Sequence, residues 1–159
     1  IPSSETAITF KNKLLEKKAF GILYYLYYFN GGGVAVGDIN NDGLQDVYFT
    51  ANNRNGNKLY LNKGNFKFED ITDKAKVAGT ADWHTGATMA DVNGDGWLDI
   101  YVSAVSQQKG LEGYNALYIN QKNGTFEEQS TQYGLNFSGF STQAAFFDYD
   151  HDGDLDCYL

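Results

Sequence analysis

The chain carries Asp38-Ile-Asn-Asn-Asp-Gly-Leu-Gln-Asp46, and this nine-residue pattern returns as Asp91-Val-Asn-Gly-Asp-Gly-Trp-Leu-Asp99 and as Asp148-Tyr-Asp-His-Asp-Gly-Asp-Leu-Asp156. Each copy follows D-x-[DN]-x-D-G-x-x-D. Side-chain oxygens fall at positions 1, 3, 5 and 9, and the glycine at position 6 allows a turn sharp enough for position 7 to offer its backbone carbonyl. Hard oxygen ligands of this kind suit Ca²⁺, so the pattern predicts three calcium-binding loops.

The helix-loop-helix calcium hand is the nearest alternative, because it shares positions 1, 3, 5 and 6 of the pattern. That motif needs a glutamate at position 12 and a helix after it, whereas position 12 here is Phe49, Val102 and Leu159. Each loop is followed by β-branched and aromatic residues, which favour strands. We therefore expect each loop to close on the aspartate at position 9 and to join two strands.

Ordinary hairpin turns without a metal are the second alternative, because Asn-Asp-Gly and Gly-Asp-Gly form turns readily. The distribution of charge counts against it. Eleven of the fourteen aspartates of the chain lie in the three loops, and like charges crowded into a turn repel each other unless a cation neutralises them. Metal binding is therefore the favoured interpretation.

The sequence around the loops repeats as well, with 53 residues from the first loop to the second and 57 from the second to the third. A segment rich in small residues precedes each full repeat's loop, as in Gly33-Val-Ala-Val-Gly37 and Gly86-Ala-Thr-Met-Ala90. Further along, Asn57-Lys-Leu-Tyr-Leu-Asn62 is matched by Asn115-Ala-Leu-Tyr-Ile-Asn120. A Phe-rich segment follows each of these after an Asn/Gly turn. The sequence of each full repeat therefore predicts four short strands.

Four antiparallel strands per repeat are the makeup of a β-propeller blade. Glycine and alanine in the first strand suit the crowded centre of a propeller, and the later strands alternate as more exposed strands do. We therefore predict an all-β fold of four-stranded antiparallel blades with calcium-binding hairpin loops. The predicted units are residues 1–32, N-terminal strands that could complete a blade; 33–85 and 86–141, two blade-like repeats; and 142–159, the first half of a third.

Two and a half repeats predict a partial propeller, because a closed propeller has about four to eight blades. Other blades or copies of the chain are therefore expected partners. Two explanations stay open: the chain is a piece of a longer protein, or several chains complete one ring or stack. Residue 1 is not methionine, so it is expected to be the start of a processed or excised piece.

The N-terminal region shows a different pattern. The alternation of Ala7-Ile-Thr-Phe-Lys-Asn-Lys13 predicts a strand, and residues 14–18 are expected to form a turn or a short helical piece. The apolar run Phe20-Gly-Ile-Leu-Tyr-Tyr-Leu-Tyr-Tyr-Phe29 is too short to cross a membrane and predicts a buried strand or strand pair.

The composition excludes some partners. The formal net charge is -8, which disfavours nucleic acid and anionic membrane surfaces, and no membrane insertion is expected. One Ca²⁺ in each loop would bring the charge to about -2, so the acidity belongs largely to the loops. The single cysteine, Cys157, cannot form an internal disulfide and is expected to be a small buried residue.

The loops and their flanking strands resemble the FG-GAP/VCBS repeats of integrin-α-like β-propellers, in particular bacterial extracellular VCBS-repeat proteins related to the ASPIC/UnbV group. The resemblance covers about residues 30–159. It implies that each loop joins the first two strands of a blade and holds one Ca²⁺ on the rim. By position, the implied ligands are Asp38, Asn40, Asp42, the Leu44 carbonyl and Asp46; Asp91, Asn93, Asp95, the Trp97 carbonyl and Asp99; and Asp148, Asp150, Asp152, the Asp154 carbonyl and Asp156.

No catalytic constellation is recognisable in the sequence. The two histidines, His84 and His151, stand without a second histidine, a cysteine or a nucleophile motif beside them. Glu127 and Glu128 are adjacent in a predicted strand and point to opposite faces, so they cannot flank one substrate bond. Three loop aromatics could stack on sugars, but core packing is the favoured role for them: Trp83, Tyr114 and Tyr133.

The sequence thus predicts a calcium-binding propeller module that is not an enzyme. It is expected outside the cell, on the cell surface or in a periplasm, where free Ca²⁺ is plentiful, with a structural, adhesive or ligand-binding role. The ligand class left open is a protein or a glycan. Two alternatives remain: a self-assembling structural subunit completed by strand exchange between chains, and a non-catalytic part of a propeller-type polysaccharide-active enzyme.

Overall fold

The structure is a computed structural model that describes residues 1–14, 21–23, 25–108 and 110–159. Two short helices are present in this part of the chain, α1 (Ser3–Thr6) and α2 (Thr72–Ala75). The strands are β1 (Val34–Gly37), β2 (Asp46–Phe49), β3 (Lys58–Asn62), β4 (Phe68–Asp70), β5 (His84–Ala90), β6 (Asp99–Ala104), β7 (Ala116–Asn120), β8 (Phe126–Glu128), β9 (Ala145–Phe147) and β10 (Asp156–Tyr158).

These strands form three antiparallel sheets. The first sheet has the order β1-β2-β3-β4, the second has the order β5-β6-β7-β8, and the third pairs β9 with β10. Neighbours in each sheet are neighbours in sequence, as short turns and hairpins require. The prediction of an all-β fold built from four-stranded antiparallel blades is confirmed.

The register is the same at each aspartate loop. The ninth residue of the loop opens the second strand and pairs with the residue that precedes the loop: Gly37 with Asp46, Ala90 with Asp99 and Phe147 with Asp156. An eight-residue connection therefore joins the first two strands in all three sheets. The identity of register follows from the identity of the pattern, since the turn geometry sets which residues pair.

The second sheet lies between the other two. Its strand β6 alternates, because Ile100 and Val102 pack into a core shared with the first sheet, whereas Tyr101 packs into a core shared with the third. Adjacent residues of a strand point to opposite faces, so both faces of this sheet are covered. All six residues of β6 and all five of β7 are buried.

The first strands of the sheets approach each other closely. A Cβ added to Gly33 would lie 2.7 Å from the carbonyl oxygen of Thr85, and one added to Gly86, at the equivalent place in the second repeat, would lie 2.5 Å from the carbonyl oxygen of Thr142. Side chains larger than hydrogen do not fit there. The predicted crowding of small residues at the centre is therefore a feature of the fold.

Equivalent polar residues tie each full sheet together. The Tyr48 hydroxyl donates to the Val77 carbonyl at 2.6 Å, and the Tyr101 hydroxyl donates to the Leu135 carbonyl at 3.0 Å. In both repeats the hydroxyl reaches the segment that follows the fourth strand. That segment includes α2 in the first repeat, a helix that the sequence analysis did not anticipate.

The N-terminal predictions are wrong in the residues that can be compared. Residues 7–13 form no strand; instead Phe10 stacks on Phe49 with ring centroids 4.9 Å apart, and the Thr9 amide donates to the Tyr60 hydroxyl at 3.1 Å. Leu14 lies in no helix or turn, and the rest of the predicted turn or helical piece at 14–18 lies outside the described residues. Side-chain packing, rather than a backbone ladder, holds this segment to the first sheet.

The described residues of the aromatic run at 20–29 are not in a strand either. Its described residues form successive turns, in which the Tyr28 amide donates to the Tyr25 carbonyl and the Asn30 amide donates to the Tyr27 carbonyl, both at 3.0 Å. Tyr25 and Tyr28 are buried against Trp83, whereas Leu26 is 82% exposed. The buried positions are three residues apart, which is a turn spacing and not the two-residue period of a strand. Residues 20 and 24 lie outside the described part.

Among the described residues, no helix has the length and apolar composition that crossing a bilayer requires.

Candidate metal sites

The three aspartate loops occupy corresponding places in the fold. Residues 38–45 connect β1 to β2, residues 91–98 connect β5 to β6, and residues 148–155 connect β9 to β10. Because the first strands of adjacent sheets pack side by side, the loops are found at the same end of neighbouring sheets. The resemblance-based expectation that each loop joins the first and second strands is met.

In each full sheet the backbone of the loop folds around its first aspartate. In the first loop, Asp38 accepts hydrogen bonds from the amides of Asp42 (3.1 Å) and Gly43 (2.7 Å). In the second, Asp91 accepts from the amides of Asp95 (3.0 Å) and Gly96 (2.8 Å). The amides of positions 5 and 6 thus donate to the carboxylate of position 1 in both copies, so the backbone of the loop turns around this side chain.

Positions 3, 5 and 7 follow the same plan. Asn40 donates through its amide group to Asp42 at 2.9 Å, and the Leu44 amide donates to Asp42 at 2.8 Å. The second loop repeats this arrangement, with Asn93 donating to Asp95 at 3.2 Å and the Trp97 amide donating to Asp95 at 3.0 Å. The side chains at positions 3 and 5 are therefore in contact in both loops.

The ninth residue is the buried anchor of each full loop. Asp46 is 0% exposed and Asp99 is 1% exposed. Asp99 accepts hydrogen bonds from the amides of Val92 (3.1 Å) and Asn120 (2.8 Å), and Asp46 accepts from the amides at the equivalent positions at 3.0 and 2.7 Å. Each carboxylate thus joins its own loop to the third strand, and each oxygen keeps lone-pair capacity for a further partner.

Burial makes these two carboxylates costly to ionise. Desolvation raises the pKa of Asp99 to about 6, although the amides of Asn120 and Val92 act to lower it and the charges of Asp95 and Asp91 add to the rise. The pKa of Asp46 is raised for the same reason, with burial as the largest cause. A bound cation would offset this cost by compensating the negative charge.

The third loop brings its carboxylates closest together. Ligand atoms of Asp148, Asp150 and Asp156 lie within 4.8 Å of one another. One carboxylate oxygen of Asp148 is buried without a hydrogen-bond partner. Among the described residues, the three carboxylates of the first loop and those of the second are not gathered within this distance. The third loop also carries the most charge. Within it, the negative charge of Asp152 raises the pKa of Asp154.

Support from the surrounding protein differs between the loops. Asp156 is exposed, whereas the equivalent Asp46 and Asp99 are buried. The third loop shares some of the turn bonds, since the Tyr149 amide donates to Asp156 at 2.8 Å and the Gly153 amide donates to Asp148 at 3.2 Å. The pattern in the sequence therefore produces similar loops in three different environments.

Three residues outside the predicted ligand set contact the loops. Asn120 donates to the carbonyls of Ile39 and Leu98, Asn41 donates to the Gly96 carbonyl, and Lys122 forms an ion pair with Asp95 at 3.3 Å. Desolvation acts to raise the pKa of Asp95, but the hydrogen bonds from Lys122, Trp97 and Asn93 outweigh it and lower that pKa. Asn120 could have been found from the sequence, because asparagine recurs at position 62 of the first repeat.

An aromatic cleft lies at the opposite end of the first strands. Its volume is about 310 Å³, and it opens where residues 31–33 lead into β1 and where β5 and β9 begin. Tyr25, Tyr27, Trp83 and Phe140 supply its rings. Its polar lining comes from Asn30, Thr85 and Thr142. No charged side chain is among its lining residues in the described part of the chain.

The structure also shows how far the other residues considered in the sequence analysis are buried. Trp83 is 4% exposed, as core packing predicts, but Tyr114 and Tyr133 are 37% and 41% exposed, so core packing is wrong for them. His84 is buried in β5, where desolvation lowers its pKa to about 4 and Nδ1 lies 3.2 Å from the Ala51 carbonyl oxygen. Cys157 is half-buried rather than fully buried, which corrects the prediction, because the third sheet is covered on one face only.

Three other ionisable residues considered in the sequence analysis are exposed to solvent. His151, at the fourth position of the third loop, is exposed, as expected for a non-ligand position. Glu127 and Glu128 are both exposed in β8.

The fold and the loops define a class of protein: an all-β chain of blade-like repeats with one aspartate loop between the first two strands of each. The FG-GAP-like repeat family model matches residues 38–102 and 104–159, which is most of the chain. The chain belongs to the FG-GAP-like repeat family.

The chain is also similar to a known protein. Over 74 residues the chain is 39% identical to cartilage acidic protein 1 of Xenopus tropicalis. The matched region is 46% of this chain and 11% of that protein, so the match spans about a tenth of the relative's length.

Proposed function

We propose that the chain is a calcium-binding β-propeller module of an extracellular or cell-surface protein, with up to three Ca²⁺, one in each aspartate loop. The observation that carries this proposal is the shared turn architecture, in which backbone amides donate to the carboxylates of positions 1, 5 and 9 of each loop. The predicted ligands supply oxygen only, which is the donor set that Ca²⁺ prefers.

The cation has a structural role in this proposal. Each loop opens the second strand of its sheet with the ninth aspartate, so a bound ion would set the pairing of the first two strands. It would also remove the repulsion between aspartates that the sequence concentrates there. The buried Asp46 and Asp99 gain most, because their charge is the costliest to leave uncompensated.

The decisive experiment is thermal unfolding with calcium and with excess chelator. Replacing Asp95 with alanine is expected to lower the melting temperature in calcium and to change it little in chelator. Asp73→Ala provides a matched control, because Asp73 is an exposed aspartate outside the loops, and it is expected to be neutral in both conditions. An equal loss for Asp95→Ala with and without calcium would refute the proposal.

An extracellular, cell-surface or periplasmic location follows from the same chemistry, since loops of this type are filled where free Ca²⁺ is abundant. The name of the relative, which refers to cartilage, supports a location outside the cell. Membership of the ASPIC/UnbV group stays a prediction.

Other blades or copies of this chain are the proposed structural partners. The outward face of the first sheet leaves Val34 and Val36 more than half exposed, and the third sheet leaves Phe147 and Tyr158 exposed. Both faces are apolar. The corresponding faces of the second sheet are covered by neighbouring sheets. Light scattering of the chain with calcium and with chelator tests self-association: a discrete oligomer that dissociates in chelator supports it, and a monomer in both conditions contradicts it.

Ligand binding is a second candidate function, and the aromatic cleft is the observation that favours it. The part of the lining that the structure describes offers exposed rings of Tyr27 and Phe140, amide and hydroxyl groups, and no charged side chain. This lining suits a neutral glycan better than a charged one. We propose no catalytic role for this chain; the burial of His84 supports this.

Calorimetric titration with neutral and acidic oligosaccharides tests the cleft. Phe140→Ala is expected to abolish binding of the neutral ligand, whereas Tyr133→Ala, an exposed tyrosine elsewhere, is expected to leave it unchanged. Preference for the acidic ligand, or equal loss in both variants, would contradict a neutral-glycan site.

A further inference from the structure

The first and second aspartate loops are directly connected. Asn41 lies between the predicted ligands Asn40 and Asp42, and its side-chain amide donates to the Gly96 carbonyl at 3.0 Å. Gly96 lies between Asp95 and Trp97, which are predicted ligands of the second loop. The hydrogen bond therefore joins the ligand-bearing backbone of one loop to that of the other.

A second, buried connection runs through Asn120. This residue is 4% exposed, and its side-chain amide donates both to the Ile39 carbonyl at 2.8 Å and to the Leu98 carbonyl at 3.1 Å. Its backbone amide donates to Asp99. One amide group thus links the start of the first loop to the end of the second, in surroundings that make its hydrogen bonds costly to break.

Among the described residues, hydrogen bonds of this kind join the first and second loops but not the second and third. Asn62 is the equivalent of Asn120 in the first repeat, and its amide donates to Gln45 within its own loop at 2.9 Å. Position 4, which holds Asn41 in the first loop, is Gly94 in the second, so the second loop has no side chain there with which to reach the third. The third loop has the exposed His151 at this position.

We propose that the first and second loops load cations as a coupled pair, with occupancy of one raising the affinity of the other, while the third loop loads independently. This inference rests on the proposed calcium function. A cation that orders one loop also fixes the carbonyl or amide through which that loop contacts the other. Less conformational entropy is then lost when the second cation binds. Repulsion between the two cations opposes this effect but is screened by salt, whereas the hydrogen bonds are not.

Trp97 offers a readout that belongs to the second loop. Tb³⁺ takes oxygen ligands as Ca²⁺ does, and it emits when a nearby indole absorbs light. Trp97 is in the second loop, and the other tryptophan of the chain, Trp83, lies in the aromatic cleft at the opposite end. Tb³⁺ emission excited through tryptophan therefore reports loading of the second loop, and Trp97→Phe, which keeps the backbone carbonyl, should remove the signal.

The test is a double-mutant cycle on the full 159-residue chain, with the Tb³⁺ midpoint of the second loop as the measured quantity. Asn41→Gly removes the linking amide without changing charge. Glycine also suits the backbone, because position 4 is left-handed in all three loops, with φ of 56° at Asn41, 69° at Gly94 and 63° at His151. The same substitution is then made in a background where Asp38→Asn and Asp42→Asn disable the first loop. His151→Gly is the matched control.

Coupling predicts that Asn41→Gly weakens Tb³⁺ binding at the second loop by about fivefold when the first loop is intact and by less than about twofold when it is disabled. His151→Gly should leave the midpoint unchanged. An equal effect of Asn41→Gly in both backgrounds, or no effect in either, would overturn the coupling and leave calcium binding standing. Absence of tryptophan-excited emission in the unmutated chain would overturn both proposals.

Discussion

The first and second repeats are built from matching residues, yet they are buried to different extents. Val47 and Ile100 hold the same place in their repeats, but Val47 is half-buried whereas Ile100 is 0% exposed. The second sheet has a neighbour on each face, and the first has a neighbour on one face and the N-terminal segment on part of the other. How much the residue at a given position of the repeat contributes to stability is therefore decided by the neighbouring sheets and not by the repeat itself.

The largest expected effect comes from truncating this pair of residues. Ile100→Ala should lower the free energy of unfolding by about 3–4 kcal/mol, because it leaves a cavity in a closed core. Val47→Ala should cost about 1 kcal/mol, because the site is already partly open to water. Denaturant unfolding of both variants measures the difference, and equal costs would contradict the central placement of the second sheet.

Acid should destabilise the second repeat through His84, which the first repeat replaces with Gly31. Burial lowers the pKa of His84 from 6.5 to about 4, so the folded state favours neutral imidazole. Its contribution is fully present above pH 6.5, is lost as pH falls from 6.5 to about 4, and changes no further below that. The loss is up to about 3 kcal/mol.

The measurement is the difference in unfolding free energy between the unmutated chain and His84→Gln across that pH range, since the difference cancels the titration of the carboxylates. A difference that does not change with pH would show that His84 is accessible to protons in the folded state.

The equivalent tyrosines provide a finer comparison. Tyr48→Phe should cost about 2 kcal/mol, because it leaves both the Val77 carbonyl and the Asn57 amide without the hydroxyl that they contact. Tyr101→Phe should cost about 1 kcal/mol, because the hydrogen bond from its hydroxyl to the Leu135 carbonyl is longer, at 3.0 Å against 2.6 Å for Tyr48. Thermal or denaturant unfolding of the two variants would reveal the ranking, and the reverse order would contradict it.

The smallest expected effect concerns a lysine that contacts the second loop. Lys122 pairs with Asp95 in the second loop, and the equivalent residue of the first repeat is Gly64, which shares its left-handed backbone. Lys122→Gly should raise the cation affinity of the second loop about two- to fourfold by removing a competing charge. Lys63→Ala, which removes an ion pair with Glu69 away from the first loop, is the control. Titration with Tb³⁺ measures both, and a weaker second loop in Lys122→Gly would refute the competition.

The sequence predicted the repeated part of the molecule well. The strands on both sides of each loop, the pairing across it and the family were all deduced from the nine-residue pattern and its flanks, because turn geometry and hydrophobic alternation act over a few residues. The N-terminal region had no repeat to compare with. Its alternating segment at 7–13 and the described residues of its aromatic run at 20–29 were therefore wrongly predicted as strands from local pattern alone.

The sequence by itself determined where the carboxylates stand along the chain and how each loop turns, since position 1 receives the amides of positions 5 and 6 within the same short segment. Only the tertiary structure decided which sheet is covered on both faces, where the aromatic cleft opens and which loops touch. Asn120 and the Ile39 carbonyl are 81 residues apart in sequence. Contacts of that kind depend on how whole sheets pack, and no local pattern specifies them.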